Sequence, residues 1–302
     1  MTEKLLISII TPSLNRADMI VTAIESVLAQ NYPHFEHIIV DGGSTDGTLE
    51  RLKRYPHLKV LVGHDKGMYD ALNRGLAIAK GEIIGFLNSD DLYAESVFAI
   101  IAEKFKNAKT FAVVGKALVF ITKPNGETQI IYYLSPDSAS LLELSTIGNH
   151  VFNAWFFRRS VFEKIGNFNI EYRIVGDREF MLRFVFSNLH YEILNKQVYR
   201  YLQHDGSMTF NLSDQEFENE VNEHFKMTGY YLEQKKLPQT ARTLIQQLRA
   251  RDTIKMTVIA TKTSLRKGYH YFFEGIKYDP KWPFRFVQIA FKYIKRAAKF
   301  PE

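Results

Sequence analysis

Short apolar runs alternate with amphipathic stretches through the first hundred residues. Residues 5–11, 35–40, 58–62 and 83–87 are brief hydrophobic segments bounded by turn residues. That pattern predicts strands buried on both faces of a parallel sheet. Between them, 16–30, 45–55, 69–79 and 94–106 carry apolar positions at helical spacing. Repeated β-α-β units predict an α/β fold with a mostly parallel, Rossmann-like sheet flanked by helices. The period then changes. Residues 111–122 and 128–133 flank a Lys-Pro-Asn-Gly turn and predict two strands, while 135–149 reads as loop. A strand is expected over 153–157, a short helix from Ser160 to the stop at Gly166, and a helix over 177–186. From 213 the pattern is almost wholly helical. We therefore expect an α/β domain over 1–212, with halves of about 1–105 and 106–212, and a helical extension over 213–302.

Three of the predicted strands end in polar residues suited to a ligand. In open α/β sheets ligands lie beyond the carboxyl ends of strands. Ile83-Ile84-Gly85-Phe86-Leu87-Asn88-Ser89-Asp90-Asp91 runs from an apolar strand into two adjacent carboxylates. Such carboxylates repel unless a cation or ligand hydroxyls sit between them; a solvated helix cap is the plainer alternative. Thr11-Pro12-Ser13-Leu14-Asn15-Arg16 closes the first strand, where a helix N-terminus offers free N–H groups to an anion or a base edge. Asp41-Gly42-Gly43-Ser44-Thr45-Asp46-Gly47-Thr48 closes the second. Capping accounts for Thr45 and Asp46, but not for Asp41 at the strand tip.

These three segments in this order resemble family 2 glycosyltransferases, which have the GT-A fold. The segment Asp65-Lys66-Gly67-Met68-Tyr69-Asp70-Ala71-Leu72-Asn73-Arg74-Gly75 is similar to a subgroup that builds bacterial surface polysaccharides. The resemblance spans about 5–205. It implies a nucleoside-diphosphate sugar donor, usually uridine-linked, and a divalent metal, Mg²⁺ or Mn²⁺. It implies that Pro12, Ser13 and Asn15 line the nucleotide pocket, that Asp41 contacts the base, and that Asp65 and Lys66 touch the nucleotide or diphosphate. Asp90 would face ribose and metal, and Asp91 would ligate the metal. The family's Asp-x-Asp reads Asn88-Ser89-Asp90 here, so the first position accepts from a ligand without bringing charge. Gly176-Asp177-Arg178-Glu179 resembles the family's acidic motif at a helix start. It implies that Asp177, with Glu179 as competitor, deprotonates the acceptor hydroxyl in an inverting displacement. A plain N-cap is the alternative for Asp177. His204 is a further candidate metal or phosphate ligand, His150 a candidate on the acceptor side, and Trp155 a candidate sugar platform or a core aromatic.

Composition adds boundaries. The chain has 302 residues, 46% hydrophobic and 24% charged, and no cysteine. Disulfides, thiolate metal sites and thiol catalysis are thereby excluded. With neither a signal peptide nor an apolar run of membrane-spanning length in view, a cytoplasmic protein is expected. The net charge of +6 is uneven: residues 249–302 hold 13 Lys and Arg against 4 Asp and Glu. A basic amphipathic helix over 284–300 suits an anionic membrane surface, though a helix packed on the core also fits. Such a surface suits a lipid-linked acceptor; a saccharide acceptor is equally in keeping, and no nucleic-acid motif accompanies the charge. Two rivals remain: a nucleotidyltransferase, and a nucleotide-sugar-binding relative with little turnover. The former would carry a glycine-rich basic loop after the first strand.

Overall fold

The computed structural model describes residues 4–123, 125–204, 213–278, 282–284 and 287. The chain divides into two compact units, one of 1–145 with 149–210 and one of 146–148 with 211–302.

The first unit is an α/β layer structure around a nine-stranded sheet. β1 (Ile7–Ser13), α1 (Ile20–Leu28), β2 (Phe35–Asp41), α2 (Thr48–Leu52), β3 (Leu58–Val62), α3 (Met68–Ile78) and β4 (Ile83–Phe86) alternate as the hydrophobic pattern requires. Their strands lie in the order β3-β2-β1-β4, all parallel. Beyond β4 the sheet is mixed, which the sequence reading of a mostly parallel sheet did not resolve. The chain passes through β5 (Leu92–Tyr93), α4 (Phe98–Phe105), β6 (Ala112–Thr122), β7 (Thr128–Leu134), α5 (Leu141–Thr146), β8 (Trp155–Arg158), α6 (Ser160–Ile165), α7 (Gly176–Phe186) and β9 (Tyr191–Leu202). β8 runs antiparallel to both β4 and β6, whereas β9 runs parallel to β6 and antiparallel to β5.

Strands β1 and β4 carry the centre of the core; Ile7, Ile9, Ile83 and Ile84 expose nothing. Gly85 is required within β4, because a Cβ there would strike the Phe156 ring and the Tyr93 hydroxyl. That hydroxyl donates to Phe86 O, pinning the strand just before its polar end. Two element boundaries differ from the pattern. α1 starts at Ile20, since the amides of Arg16 and Ala17 donate instead to Thr48 Oγ1 and Asp46 Oδ2. α5 occupies part of the expected loop, with Ser140 Oγ accepting from Glu143 N at its start.

The second unit contains α8 (Asp214–Glu233), α9 (Gln239–Thr263) and α10 (Leu265–Tyr278). Ser213 and Glu216 form a reciprocal capping box at the start of α8. His224 Nδ1 of α8 lies 2.8 Å from Asp252 Oδ2 of α9, both almost wholly buried. Burial works to raise the Asp252 pKa, and the His224 contact overrides it, leaving the carboxyl below its ordinary range. The helix expected over 284–300 lies outside the described residues apart from Phe284 and Val287.

Candidate active site at the strand ends

The parallel register brings the first two strand ends level. Ser13 pairs with Asp41, and Asp41 with Val62. The loops beyond are laced together by polar side chains. Asn15, in the left-handed region at φ 53°, donates its amide to Ser44 Oγ and accepts from Thr45 N through Oδ1. Asp46 accepts from Ala17 N and Thr48 N. Asp41 exposes nothing: Oδ1 accepts from the amides of Gly43 and Ser44, and Oδ2 accepts from Ser44 Oγ at 2.7 Å. It shapes the loop and offers no open face to a base. Ser13 is buried with its hydroxyl lacking a partner among the described residues, and Pro12 beside it is half-buried. Asp65 accepts from Gly67 N, and its other oxygen lies against Gly42, where a Cβ would stand 3.0 Å from it. Lys66 is exposed.

At the end of β4, adjacent residues face different surroundings. Asp91 is fully buried. Its Oδ2 accepts from Tyr199 Oη at 2.7 Å and Asn88 Nδ2 at 3.0 Å, and its Oδ1 from Leu202 N at 2.8 Å. Burial and the neighbouring Asp90 charge push its carboxyl well above the usual range, against the pull of these donors. Tyr199 in turn accepts from Asn153 Nδ2. The metal role expected of Asp91 meets a physical obstacle: both oxygens are engaged inside the protein. Asp90 is the open member of the pair. Its Oδ2 stands 3.0 Å from His204 Nε2, and each side chain retains under a fifth of its exposure. Among the described residues no three Asp, Glu or His side chains cluster as a cation cage. Asp90 and His204 are nonetheless a hard oxygen and an imidazole at one point. A divalent cation held by few protein groups completes its shell with water and substrate phosphates, so the donor set fits such an ion.

The third cluster stands at the start of α7. Asp177 Oδ1 accepts from Arg178 N at 2.7 Å and from Tyr69 Oη at 3.1 Å. The single Tyr69 proton is shared with Ile174 O, 3.0 Å away. Asp177 Oδ2 lies 3.4 Å from His150 Nε2, and the Asp177 side chain keeps 34% of its exposure. Burial works to raise its pKa; the His150 contact and the His150 and Arg178 charges outweigh it and hold the carboxyl at about 2. Val151, a β-branched residue at φ 33°, follows His150 directly. Such a backbone costs about 1–3 kcal/mol and persists only where its surroundings impose it. The competitor Glu179 is buried and held by both Nε and Nη2 of Arg183 at 2.8 Å, which leaves Asp177 as the open acid of the motif. Trp155 is a core residue, stacked on Phe157 and donating to His150 O.

Residues 8–166 match the family model described as "Glycosyl transferase family 2". The chain belongs to this family. This glycosyltransferase is 34% identical over 188 residues to a PGL/p-HBAD biosynthesis glycosyltransferase of Mycobacterium tuberculosis, covering 60% of this chain and 70% of that protein. It is 43% identical over 93 residues to the putative teichuronic acid biosynthesis glycosyltransferase TuaG of Bacillus subtilis, covering 29% of this chain and 37% of TuaG. Among solved structures, S. aureus TarS 1-349 in complex with UDP-GlcNAc superposes with a TM-score of 0.66 at 18% identity, covering 92% of this chain and 82% of that one. The mannosyltransferase PcManGT from Pyrobaculum calidifontis, in complex with GDP-Man and Mn²⁺, gives 0.57 at 16% identity, covering 96% and 85%. These likenesses show the fold, GT-A.

Two residues of the candidate site carry no reading in the sequence. Tyr69 lies inside the Asp65–Gly75 segment, where nothing local marks its hydroxyl for Asp177. Tyr199 has no sequence signal at all, being one aromatic among several in β9.

Proposed function

We propose that this chain is an inverting glycosyltransferase. It moves a sugar from a nucleoside diphosphate, of the uridine type, to a saccharide or lipid-linked acceptor in bacterial surface-polysaccharide or glycolipid biosynthesis. The observation that carries this reading is the setting of Asp177, a partly exposed carboxylate whose Oδ1 accepts from Arg178 N and Tyr69 Oη and whose Oδ2, 3.4 Å from His150 Nε2, is the less engaged oxygen. The acceptor oxygen bonds to the anomeric carbon as the bond from that carbon to the diphosphate breaks. The acceptor proton passes to Asp177 Oδ2, and the diphosphate leaves on the opposite face. Asp90 and His204 would hold a divalent cation, Mg²⁺ or Mn²⁺, which offsets the growing charge on the leaving diphosphate. Ser13, whose hydroxyl has no partner among the described residues, and Asp65 with Lys66 form the polar lining for the nucleotide; Asn15 and Asp41 shape the loops that carry them.

The donors named for the neighbours support a nucleotide sugar, and the relatives' names support a cell-envelope acceptor. No helix among the described residues is long and apolar enough to cross a membrane. The test is transfer and donor binding with a panel of nucleotide sugars and Mn²⁺. Asp177→Asn should keep donor affinity and lose transfer by at least about 100-fold, the usual scale for a general base. Asp90→Asn should abolish the metal dependence of donor binding. Transfer retained by Asp177→Asn would overturn the base assignment, and pyrophosphate release from a sugar phosphate and a nucleoside triphosphate would favour a nucleotidyltransferase.

A further inference from the structure

Helix α10 leaves large apolar residues exposed beside a packed face that carries two glycines. A Cβ at Gly268 would collide with Thr261 of α9, and one at Gly275 would collide with the indole of Trp282. Trp282 is fully buried and directs Nε1 at Ala250 O and Thr253 Oγ1 of α9 at 3.0 and 2.9 Å, while Phe272 meets it edge-on. Phe272 and Ile276 complete this contact against Ala250, Ile254 and Trp282. Three further large apolar residues of the helix stand outside it. Leu265, Tyr269 and Phe273, four residues apart and so on one stripe, are 67%, 64% and 65% exposed.

One border of this stripe is basic. Arg266, His270 and Lys277 are exposed and lie along its edge at helical spacing, and Lys267 is exposed nearby. The helix's one acid, Glu274, is half-buried and lies 3.8 Å from Lys277. Contiguous exposed apolar surface marks an interaction site. A two-fold contact with a second copy would bring the two basic borders against each other, which like charges disfavour. Aromatic and aliphatic side chains flanked by Lys and Arg match instead the boundary between acyl chains and anionic headgroups.

We propose that the exposed face of α10, formed by Leu265, Tyr269 and Phe273 with its basic border, docks on an anionic lipid surface. This site is distinct from the strand-end cluster and stands on residues outside the 284–300 segment.

Co-sedimentation of the full chain with vesicles tests it. Binding is expected to phosphatidylcholine vesicles containing phosphatidylglycerol, weakening as salt rises, and little to phosphatidylcholine alone. A Leu265→Ser, Tyr269→Ser, Phe273→Ser triple variant should lower the partition coefficient at least about tenfold, because apolar insertion and charge attraction act together. Arg266→Glu with Lys267→Glu should lower binding to the anionic vesicles alone. All substituted side chains are exposed, and thermal melting checks that each variant folds. Donor binding and transfer to a soluble acceptor should be unchanged in the triple variant, so failure of the docking idea and failure of the functional reading give different results. Vesicle binding unaffected by the triple variant would overturn the proposal. So would a wild-type dimer that the triple variant converts to monomer, which would assign the stripe to self-association.

Discussion

Asp90 and Asp91 show how far the setting of a side chain governs its use. Asp90 meets His204 at an accessible point, whereas Asp91 is closed in by Tyr199, Leu202 and Asn88. Substituting Asp91 by Ala strands two or three buried donors, at about 1–3 kcal/mol each with partial relief from relaxation. We expect Asp91→Ala to lose about 2–4 kcal/mol in denaturant unfolding, while Asp90→Ala changes stability little and removes metal response. Chemical denaturation of the two variants side by side makes the distinction. At Asp177, the His150 contact is the leading influence that lowers the pKa to about 2, against burial. His150→Gln removes this contact, so the carboxyl moves up toward its ordinary range near 3.8. The acid limb of the kcat–pH profile should then shift to higher pH. An unmoved limb would show that another group sets it. The sequence showed both acids at the ends of apolar runs, hence near a ligand. It did not show which was buried, because burial of Asp91 depends on a tyrosine more than a hundred residues away.

The junction of α3 with α7 belongs to the scale of elements. Gly176 opens α7 under the Tyr69 ring of α3, and a Cβ there would stand 2.7 Å from the ring carbons. Gly176→Ala forces the two helices apart and should cost about 1–3 kcal/mol, as overpacking does. Tyr69→Phe keeps the ring packing and removes the hydroxyl with its contacts to Asp177 and Ile174 O. Its melting temperature should stay close to wild type while transfer falls. An equal loss of stability in both variants would mean that the junction is structural alone. The elements of the first hundred residues were legible because each buried strand is short and each helix keeps a clean period. The mixed half of the sheet was not, since the two residues of β5 carry too little pattern to be read and β8 gives no cue to its antiparallel partners. α5 had a local cue in Ser140-x-x-Glu143, a capping pair that the loop-like composition around it obscured.

Across the whole molecule, one buried histidine makes stability depend on pH. His37 is fully enclosed in β2 beside Thr11 Oγ1, and burial, with a smaller contribution from His57, drops its pKa from 6.5 to about 3. Between those values the unfolded chain takes up a proton that the folded protein refuses. Stability therefore falls as pH drops from 6.5 toward 3, with a slope for this group approaching ~1.4 kcal/mol per pH unit. Urea unfolding over that range measures it, and His37→Asn should flatten the slope; an unchanged slope would place its origin in other groups. The pairing of β6 with β9 has a consequence for how the protein is made. Ala112 aligns with Tyr191, and Asp91 finds Tyr199 and Leu202 only on that same late strand. A ribosome releases β1 to β4 long before β9, so the nascent chain can assemble its parallel layer while the Asp91 carboxyl still lacks its partners. The polar end of β4 is thus completed only once β9 has emerged, while α8, α9 and α10 are still to be made.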